Sequence, residues 1–490
     1  QIHLDDLSPF LPAMRHLNAP LSLSASLSGG VGNININRLR LYSPGMIDFN
    51  SDIQLFNIKD ISQGYVYAKV NTLHVSKTAV HDLFRTFAAK DAPYPHALSG
   101  LGNIRFNGEL WGYINNFISD GHLDTDVGSL FVVLQTRTND PTQAVAYSGS
   151  IRSSKLQLNK LIAKDGLLGE ASFSLDIKGT ITKGKKPTGV VDGLISQFDL
   201  MKYSYKDIRI NGSFDDNGYR GELSVDDENL DFILDGNLDL QKAIPTFTLS
   251  ALFNRINPNE LNLLRDYPST SISFGIQSEL LLPRFEDVYG HIDIRNLFVS
   301  IDDKRLSYDR ISFVSDTLPD NNRALRFESP FLMAQVKGRF KPRDFKHLVN
   351  HTLSSYLPSI IDTKEWKEKE DTYFDINIDI QETTHLSEMF NLPFLLPKPA
   401  KLDGNYNGRH NNIALNLNVP SIRFGKTEIN EGQLYIYSEK DQLNVISRIN
   451  SQTKKGADFN LSIHNSMRHD SLFTRLFFNK TKESTINEQI

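Results

Sequence analysis

The sequence predicts an all-β protein: one elongated, mostly antiparallel sheet with a few short helices. The first observation behind this prediction is a period of two, because apolar side chains recur at every second position, as in YFDINIDI over residues 373–380. Successive side chains of a strand point to opposite faces, so each such segment has one apolar and one polar face. Strands of a parallel sheet buried under helices would be apolar throughout, so we expect half-exposed, antiparallel strands.

A recurrent glycine is the second observation. The pattern apolar-x-Gly-x-apolar occurs ten times, from Leu27–Val31 to Leu402–Tyr406, and the glycine always takes the apolar parity. A glycine inside a strand marks a bend, a bulge or a close approach of two backbones. Its repetition favours one sheet that curves around its apolar face, although at any single site an ordinary bulge in a sandwich would explain it equally well.

We expect roughly 20 to 25 strands with turn signals between them. The segment DDNG over residues 215–218 predicts a hairpin, because Asn-Gly accepts the positive φ of primed turns. Asn257-Pro258 predicts a chain break. The apolar parity changes across Arg38 and again between Ile294 and Leu297, and each one-residue shift predicts a bulge.

The order of strands and helices predicts four sections within one continuous groove, in preference to separable domains. They are residues 1–75 with an N-terminal capping helix, residues 76–255 opened by a helix over 76–89, residues 256–382 with helices near 257–266 and 342–357, and residues 383–490.

Composition narrows the function classes. The chain has 53 Lys and Arg against 58 Asp and Glu, a net charge of -5, and so no electrostatic reason to bind nucleic acid. The absence of cysteine excludes disulfides, thiolate metal sites and a cysteine nucleophile. No apolar stretch reaches the length of a membrane span, and the opening QIHLDDLSPFLP lacks the order of a signal peptide. We therefore interpret the chain as a mature form or an internal segment of a longer protein.

The sequence contains no recognisable catalytic constellation. His347 and His351 have a spacing that can hold a metal, but the glutamate of an HExxH motif is missing. Asp120, Asp124 and Asp126 do not have the spacing of a calcium loop. Neither a nucleophile elbow nor a phosphate-binding loop occurs. We predict a protein that is not an enzyme and that uses no metal or cofactor.

The apolar strand faces need a cover. Burying one apolar side chain is worth roughly 1.5–3 kcal/mol, so leaving all these faces wet would cost on the order of 10² kcal/mol. The cover is a second sheet, the same sheet curled onto itself, or a ligand with long apolar chains. For each candidate lining residue, a core position packed against another strand is the alternative interpretation. The candidates are Leu23, Phe49, Phe106, Phe173, Leu175, Phe232, Leu234, Phe274, Phe313, Ile376, Ile378, Leu415 and Leu417.

Several segments carry a family resemblance. They are amphipathic strands with glycine on the apolar parity, together with PFLPAMRHLNAPLSLSASLSG (9–29), INPNELNLL (256–264), VYGHIDIRNLFVS (288–300), FLMAQVKGRFKPRDF (331–345) and SSYLPSI (354–360). This combination resembles the AsmA-like superfamily, and within it the TamB family of Bacteroidota-type bacteria. The resemblance extends over essentially the whole chain and rests on pattern, not on catalytic residues.

The resemblance implies a sheet curled into a taco-like hydrophobic groove, in a periplasmic protein that an N-terminal helix tethers to the inner membrane. It implies a non-enzymatic conduit for phospholipid acyl chains between the inner and outer membranes, with a linked role in outer-membrane protein assembly. We find no match to the family's anchor helix or to its conserved C-terminal domain. We therefore expect the membrane anchor, and docking to an Omp85-type partner, to lie outside this segment.

Two other functions remain open at this point. A structural or adhesive array of β-sandwiches without lipid would give stable proteolytic fragments of about 100–150 residues. A carbohydrate-active enzyme would need stacked aromatic rings beside paired carboxylates. Trp111 and Trp366 are the only tryptophans, so the enzyme ranks last.

Overall fold

The computed structural model of the chain describes most of its residues. The described ranges are 2–3, 19–30, 32–57, 59, 63–87, 96–113, 115–140, 144–162, 167–182, 185–265, 267–284, 287–342, 345–360, 369–425, 427–452 and 458–480. The protein is all-β, with 72% strand and 9% helix, and has one long, open antiparallel sheet of 26 strands. The predicted fold class is confirmed at this level, whereas the curl into a taco-like groove stays a prediction.

The strands follow one another with few interruptions. The first fourteen are β1 (Ile2–His3), β2 (Pro20–Gly30), β3 (Asn33–Ser43), β4 (Ile47–Phe56), β5 (Tyr65–Val75), β6 (Ile104–Tyr113), β7 (Asn116–Thr125), β8 (Gly128–Asp140), β9 (Ala144–Gln157), β10 (Leu168–Thr182), β11 (Thr188–Leu200), β12 (Tyr203–Asp215), β13 (Gly218–Asp226) and β14 (Leu230–Asp239). The others are β15 (Thr246–Ile256), β16 (Thr270–Arg284), β17 (Asp287–Ile301), β18 (Lys304–Leu318), β19 (Asn322–Glu328), β20 (Leu332–Arg339), β21 (Tyr373–Ile380), β22 (Ala400–Asn407), β23 (Asn412–Phe424), β24 (Thr427–Glu439), β25 (Gln442–Gln452), β26 (Asp458–Arg468) and β27 (Ser471–Lys480).

The described helices are short. They are α1 (Lys77–Phe87), α2 (His96–Leu101), α3 (Leu158–Ile162), α4 (Phe345–Tyr356) and α5 (Thr384–Met389). Within the described ranges, no helix combines the length and the apolar character that crossing a membrane requires.

The topology is a meander. From β2 to β14, and again from β16 to β27, each strand pairs antiparallel with the next one in the chain. The predicted hairpin is confirmed, because Asp215 pairs with Gly218 across a two-residue turn. The positive φ lies at Gly218 (145°) and at neither turn residue, so the expected primed turn is wrong.

The chain divides into two compact units. Unit 1 comprises Gln1–Gln241 and Phe253–Asp266, and unit 2 comprises Lys242–Leu252 and Tyr267–Ile490, so β15 contributes to both. Each unit is described separately below. The four sections predicted from the sequence stay predictions.

Bulges keep the apolar residues on one face. The register of β3 against β4 shifts between Ile36 and Leu39, where Arg38 has a φ of 50°. In β17 the change of parity occurs at Asn296, which has a φ of 51°. Each extra residue restores the parity that the sequence had lost, so both predicted bulges are confirmed.

Serine hydroxyls form hydrogen bonds beside other bulges of the sheet. Ser51 Oγ donates to the carbonyl of Lys69 at 3.0 Å, beside the register shift in β4 and β5. Ser153 Oγ donates to the carbonyl of Ser129 at 2.8 Å, and Ser172 Oγ donates to the carbonyl of Ser154. A bulge interrupts the ladder, and these hydroxyls supply hydrogen bonds to carbonyls next to it.

Two predicted helices are confirmed and one is wrong. Those predicted over 76–89 and 342–357 correspond to α1 and α4. The segment near 257–266 forms a hydrogen-bonded turn in place of a helix, in which Leu261 N donates to Asn257 O and Leu263 N donates to Pro258 O. Asn262 has a φ of 60°, which takes the chain out of the right-handed helical region after one turn. The predicted N-terminal capping helix falls on residues 4–18, outside the described residues.

Glycine is required where neighbouring backbones approach closely. At Gly290, φ is +121° and an added Cβ would lie 2.0 Å from the carbonyl oxygen of Glu279. At Gly108 an added Cβ would lie 2.2 Å from the carbonyl oxygen of Asp120 on the next strand. No side chain fits at either position, which explains glycine on the apolar parity there.

Replacing Gly290 with alanine should lower the free energy of unfolding of unit 2 by about 2 kcal/mol or more, because the new Cβ adds backbone strain and a clash. Gly275→Ala in β16 is the matched control, since the nearest atom to its added Cβ is 3.8 Å away. Urea unfolding of both variants checks this, and equal stabilities would contradict the explanation.

Candidate functional site: one apolar face in each unit

The predicted lining residues assemble into rows that cross the strands. Residues directly opposite each other in an antiparallel pair point to the same face of the sheet. Following these partners from strand to strand places twelve of the thirteen predicted residues in five rows, three in unit 1 and two in unit 2. Phe274 lies on the same parity as Ile272 and Ile276, opposite the bulge of β17, and joins none of the five.

Unit 1 carries three rows. Row A contains Leu23, Leu41, Phe49, Leu73, Phe106, Leu123 and Leu130, from β2 to β8. Row B contains Phe173, Ile195, Ile208, Val225 and Phe232, from β10 to β14. Row C contains Ile151, Leu175, Gly193, Ile210, Leu223 and Leu234, from β9 to β14. Row C continues through Val132 and Gly121 to Gly108, so the rows belong to one apolar face of unit 1.

Unit 2 carries two rows. Row D contains Ile292, Phe313, Phe327, Ala334, Ile378, Leu402, Leu417 and Leu434, from β17 to β24. Row E contains Leu325, Val336, Ile376, Gly404, Leu415, Ile436 and Val445, from β19 to β25. Rows D and E are two residues apart along each shared strand, so they form one apolar face of unit 2.

In unit 1 this face is buried at one end of the strands and partly accessible further along them. Leu261, in the turn after β15, is 1% exposed and packs on Ile208, Val225 and Phe232 of row B. Every member of row C, two residues further along the strands, is only half-buried. Across β2 to β5, Ala79 and Val80 of α1 cover the end of the face, while Leu23 of row A is 53% exposed.

Unit 2 shows the same gradient. Leu348 and Tyr356 of α4 pack on Phe374 and Tyr406, which are two residues beyond row E on their strands. Met389 of α5 packs on residues 299 and 301, at the far end of β17 from row D. The members of rows D and E are half-buried, apart from Phe313, which is exposed.

The distribution of burial along these strands differs from that in a β-sandwich. When two sheets pack face to face, the centres of the strands form the core and become the most buried positions. Here short helices and a turn bury one end of the apolar face in each unit, and rows C, D and E stay partly accessible. At the other end of the face in unit 1, Ile181 and Tyr219 are 56% and 58% exposed. The partial exposure of the apolar side chains in these rows forgoes on the order of 10 kcal/mol in each unit, which a ligand of apolar chains would recover.

Phe232 is a core residue, in contrast to Leu234. It is buried under Leu261, and its ring lies 5.0 Å from that of Phe253. Its burial favours the core interpretation at this position. Phe49 is intermediate, since it lies in row A and also packs on the cluster under α1.

A polar network holds the covering turn of unit 1 in place. The Tyr203 hydroxyl donates to a carboxylate oxygen of the buried Asp227 and accepts from Asn229 Nδ2 at 3.2 Å. Asn257 Nδ2 donates to Asn229 Oδ1 at 3.0 Å, which ties the start of the turn to the end of the sheet. Burial, together with the hydrogen bond to Asp227, raises the pKa of Tyr203 to about 12.

The opposite face of unit 1 is polar and charged. One row across it contains Glu109, Asp120, Val133, Ser150, Asp176, Asp192, Asn211, Glu222 and Asp235. Carboxylates stay hydrated at such positions, so this face needs no cover. The two faces of the sheet therefore differ sharply in what they can contact.

The residues considered for metal binding do not assemble a site. In the part of the chain that the structure describes, no group of three His, Asp or Glu side chains is placed to hold a metal ion. Asp126 accepts from the backbone N of Asn103 at 3.0 Å, and Asp124 accepts from Ser129 Oγ at 2.5 Å, so both stabilise turns. Trp366 lies outside the described residues.

Sequence reasoning missed an apolar cleft of about 270 Å³ on unit 1. Val66, Ala68, Leu110, Trp111, Gly112, Tyr113 and Phe117 line it. Ala68 pairs with Leu110, and Gly112 pairs with both Val66 and Phe117, so the cleft lies on the same parity as row A. The segment LWGY does not alternate strictly between apolar and polar residues, so the sequence did not show which of its side chains lie on the apolar face. The glycine at 112 was the one sequence feature that could have indicated the cleft.

Comparisons with protein-family models, with curated proteins and with solved structures found no match. The resemblance to the AsmA-like superfamily therefore stays a prediction.

The Tyr203→Phe variant tests the network that positions the covering turn. The folded-state pKa of about 12 lies above the ordinary value of 10.0. The protonated phenol therefore stabilises the fold below about pH 10, and this contribution is lost as the pH rises through about 12. Tyr203→Phe should be less stable than the parent near neutral pH, and the difference should shrink as the pH rises. Urea unfolding at several pH values measures it; a difference independent of pH would contradict this role.

Proposed function

We propose that this chain is a non-enzymatic periplasmic lipid conduit that carries phospholipid between the inner and outer membranes of a Gram-negative cell envelope. One observation carries the proposal: rows C, D and E of the two apolar faces stay partly accessible, while a turn or short helices bury one end of each face. The resemblance to the TamB family supports the same function. It also supports a linked role in outer-membrane protein assembly, with an Omp85-type partner and an inner-membrane anchor contributed by regions outside this segment.

Acyl chains fit these faces by their chemistry. Row C consists of Ile151, Leu175, Gly193, Ile210, Leu223 and Leu234, with no polar side chain in the row. A hydrocarbon chain lying along such a row replaces water at every position and meets no group that would hold it at one place. Binding of this kind selects for apolar length and not for a particular headgroup. Movement along the sheet then requires no catalytic residue.

The single sheet favours this proposal over an array of closed sandwiches. Within each unit the described strands, other than the short β1, belong to one sheet, and no second sheet of that unit covers its apolar face. The elements that pack on the buried clusters of these faces are α1, α4, α5 and the turn after β15.

Three consecutive residues of β14 provide a matched test. Leu234 lies in the half-buried row C, Ile233 is 51% exposed on the opposite face, and Phe232 lies in the core under Leu261. Leu234→Glu should keep the fold and lower the bound phospholipid tenfold or more, because a charge among acyl chains costs well over 1.4 kcal/mol. Ile233→Glu should change neither property. Phe232→Glu should destabilise unit 1 by burying an unpaired charge.

The measurement is lipid extraction and mass spectrometry of each purified variant, with circular dichroism as the folding control. Transfer of a fluorescent phosphatidylethanolamine between vesicles of phosphatidylethanolamine and phosphatidylglycerol gives a second readout. Folded parent protein without lipid and without transfer activity would overturn the proposal. Equal lipid in Leu234→Glu and Ile233→Glu would also overturn it, because the two faces would then be equivalent.

A further inference from the structure

An aromatic side chain lies flat on the apolar face of unit 1, at the end of the face away from Leu261. Tyr147 of β9 pairs with Gly179 of β10, which pairs with Gly189 of β11. The Tyr147 hydroxyl donates to the carbonyl of Thr188 at 3.3 Å. Neighbouring strands are about 4.8 Å apart, so this side chain crosses the whole of β10 to reach β11. Its ring therefore lies along the sheet and does not project from it.

This ring and a second one occupy the space that two missing side chains leave. An added Cβ at Gly179 would lie 2.7 Å from Tyr147 Cζ, and one at Gly189 would lie 2.8 Å from Tyr147 Oη. Phe214 of β12 approaches from the other side of β11, with its Cζ 2.9 Å from the position of the Gly189 Cβ. Glycine at these two positions therefore lets both rings lie against the backbone.

Gly189 has no strong backbone reason to be glycine. Its φ lies outside the left-handed region, and the nearest backbone atom to an added Cβ is the carbonyl oxygen of Lys178 at 3.1 Å. A small shift relieves a contact of that length. At Gly179, by contrast, the added Cβ would lie 2.0 Å from the carbonyl oxygen of Thr188. The two rings, and not the strand ladder, are what require glycine at 189.

The surroundings of the rings are apolar and accessible. Tyr219 pairs with Phe214 and is 58% exposed, and Ile181, two residues beyond Gly179 on β10, is 56% exposed. Tyr147 and Phe214 themselves are half-buried, so each keeps a surface that hydrocarbon can contact. Row C lies four residues away along β10, about 13 Å. A hydrocarbon chain that extends from row C towards this end of the face meets these rings.

We propose that the flat rings of Tyr147 and Phe214 set the depth of the acyl-chain path at this end of unit 1, and that Gly189 keeps them flat. This inference rests on the proposed function, because it takes acyl chains to lie on the apolar face. A flat ring adds one aromatic layer, about 3.5 Å, above the backbone. A raised ring would stand in the path by its full length. The three residues are positioning residues, since they fix the surface on which the chain lies.

Gly189→Ala raises the rings without adding charge or polarity. Its Cβ displaces the far ends of both side chains, so bound phospholipid should fall about tenfold, because overpacking costs about as much free energy as a tenfold change in affinity. Gly212→Ala is the matched control. It adds the same methyl group to the same face, and no side-chain atom lies within 4 Å of its Cβ. Lipid extraction and mass spectrometry of the purified variants measure the difference, and an equal loss in both variants would overturn the inference.

A triple variant separates this positioning role from stability. Adding Tyr147→Ala and Phe214→Ala to Gly189→Ala removes the rings that the new methyl group raises. Bound lipid should then recover towards the parent level, while the free energy of unfolding in urea falls further because two large side chains are lost. A purely structural role predicts that lipid falls together with stability, so lipid no higher than in Gly189→Ala would also overturn the inference.

The parent chain offers a measurement that needs no variant. A phosphatidylethanolamine with a diazirine in one acyl chain should label Tyr147 or Phe214 on irradiation. It should spare Val190, which follows Gly189 on β11 and is 47% exposed on the opposite face. Where the parent carries lipid, labelling of neither ring or equal labelling of Val190 would overturn this inference and leave the proposed function standing. A parent that neither carries nor transfers lipid would overturn both.

Discussion

An amphipathic sheet has one face that water solvates and one that it does not, and the second face must be covered for the fold to be stable. In this protein the coverage is uneven. Helices and a turn bury one end of each apolar face, as Leu261 does over Val225 and Phe232, while the members of row C remain half-buried. The bulges at Arg38 and Asn296, and the serines that hydrogen-bond beside other bulges, keep the apolar side chains on one face. The proposed binding of acyl chains follows from this one imbalance.

The period-two pattern was sufficient to predict the fold class, because side-chain alternation and antiparallel pairing are local properties. The hairpin at Asp216-Asn217 and the bulge at Arg38 were predictable for the same reason, since each depends on a few adjacent residues. The prediction of a helix near 257–266 was wrong. Its sequence has a good cap in Asn257 and Pro258, but the segment makes a single turn that serves to place Leu261 over the sheet. A tertiary contact outweighed local propensity there.

The sequence was sufficient to predict which residues share the apolar face of the sheet, but not how deeply each of them is buried. Leu175 and Leu234 look alike in sequence and lie in the same row. Phe232 has the same alternation as Leu234, yet the turn after β15 buries it, a contact between residues about 30 apart in the chain. Which residues of neighbouring strands share a face also depends on the strand register after every bulge. The cleft beside Trp111 likewise depends on neighbours that alternation does not specify.

Photo-cross-linking in intact cells tests the central claim most directly. A benzophenone amino acid at Leu234 would project from the half-buried apolar row, and the same amino acid at Ile233 would project from the opposite face of the same strand. The account predicts that the first captures phospholipid and that the second does not. Capture of no lipid from position 234, or equal capture from both positions, would contradict the idea that acyl chains cover the apolar face.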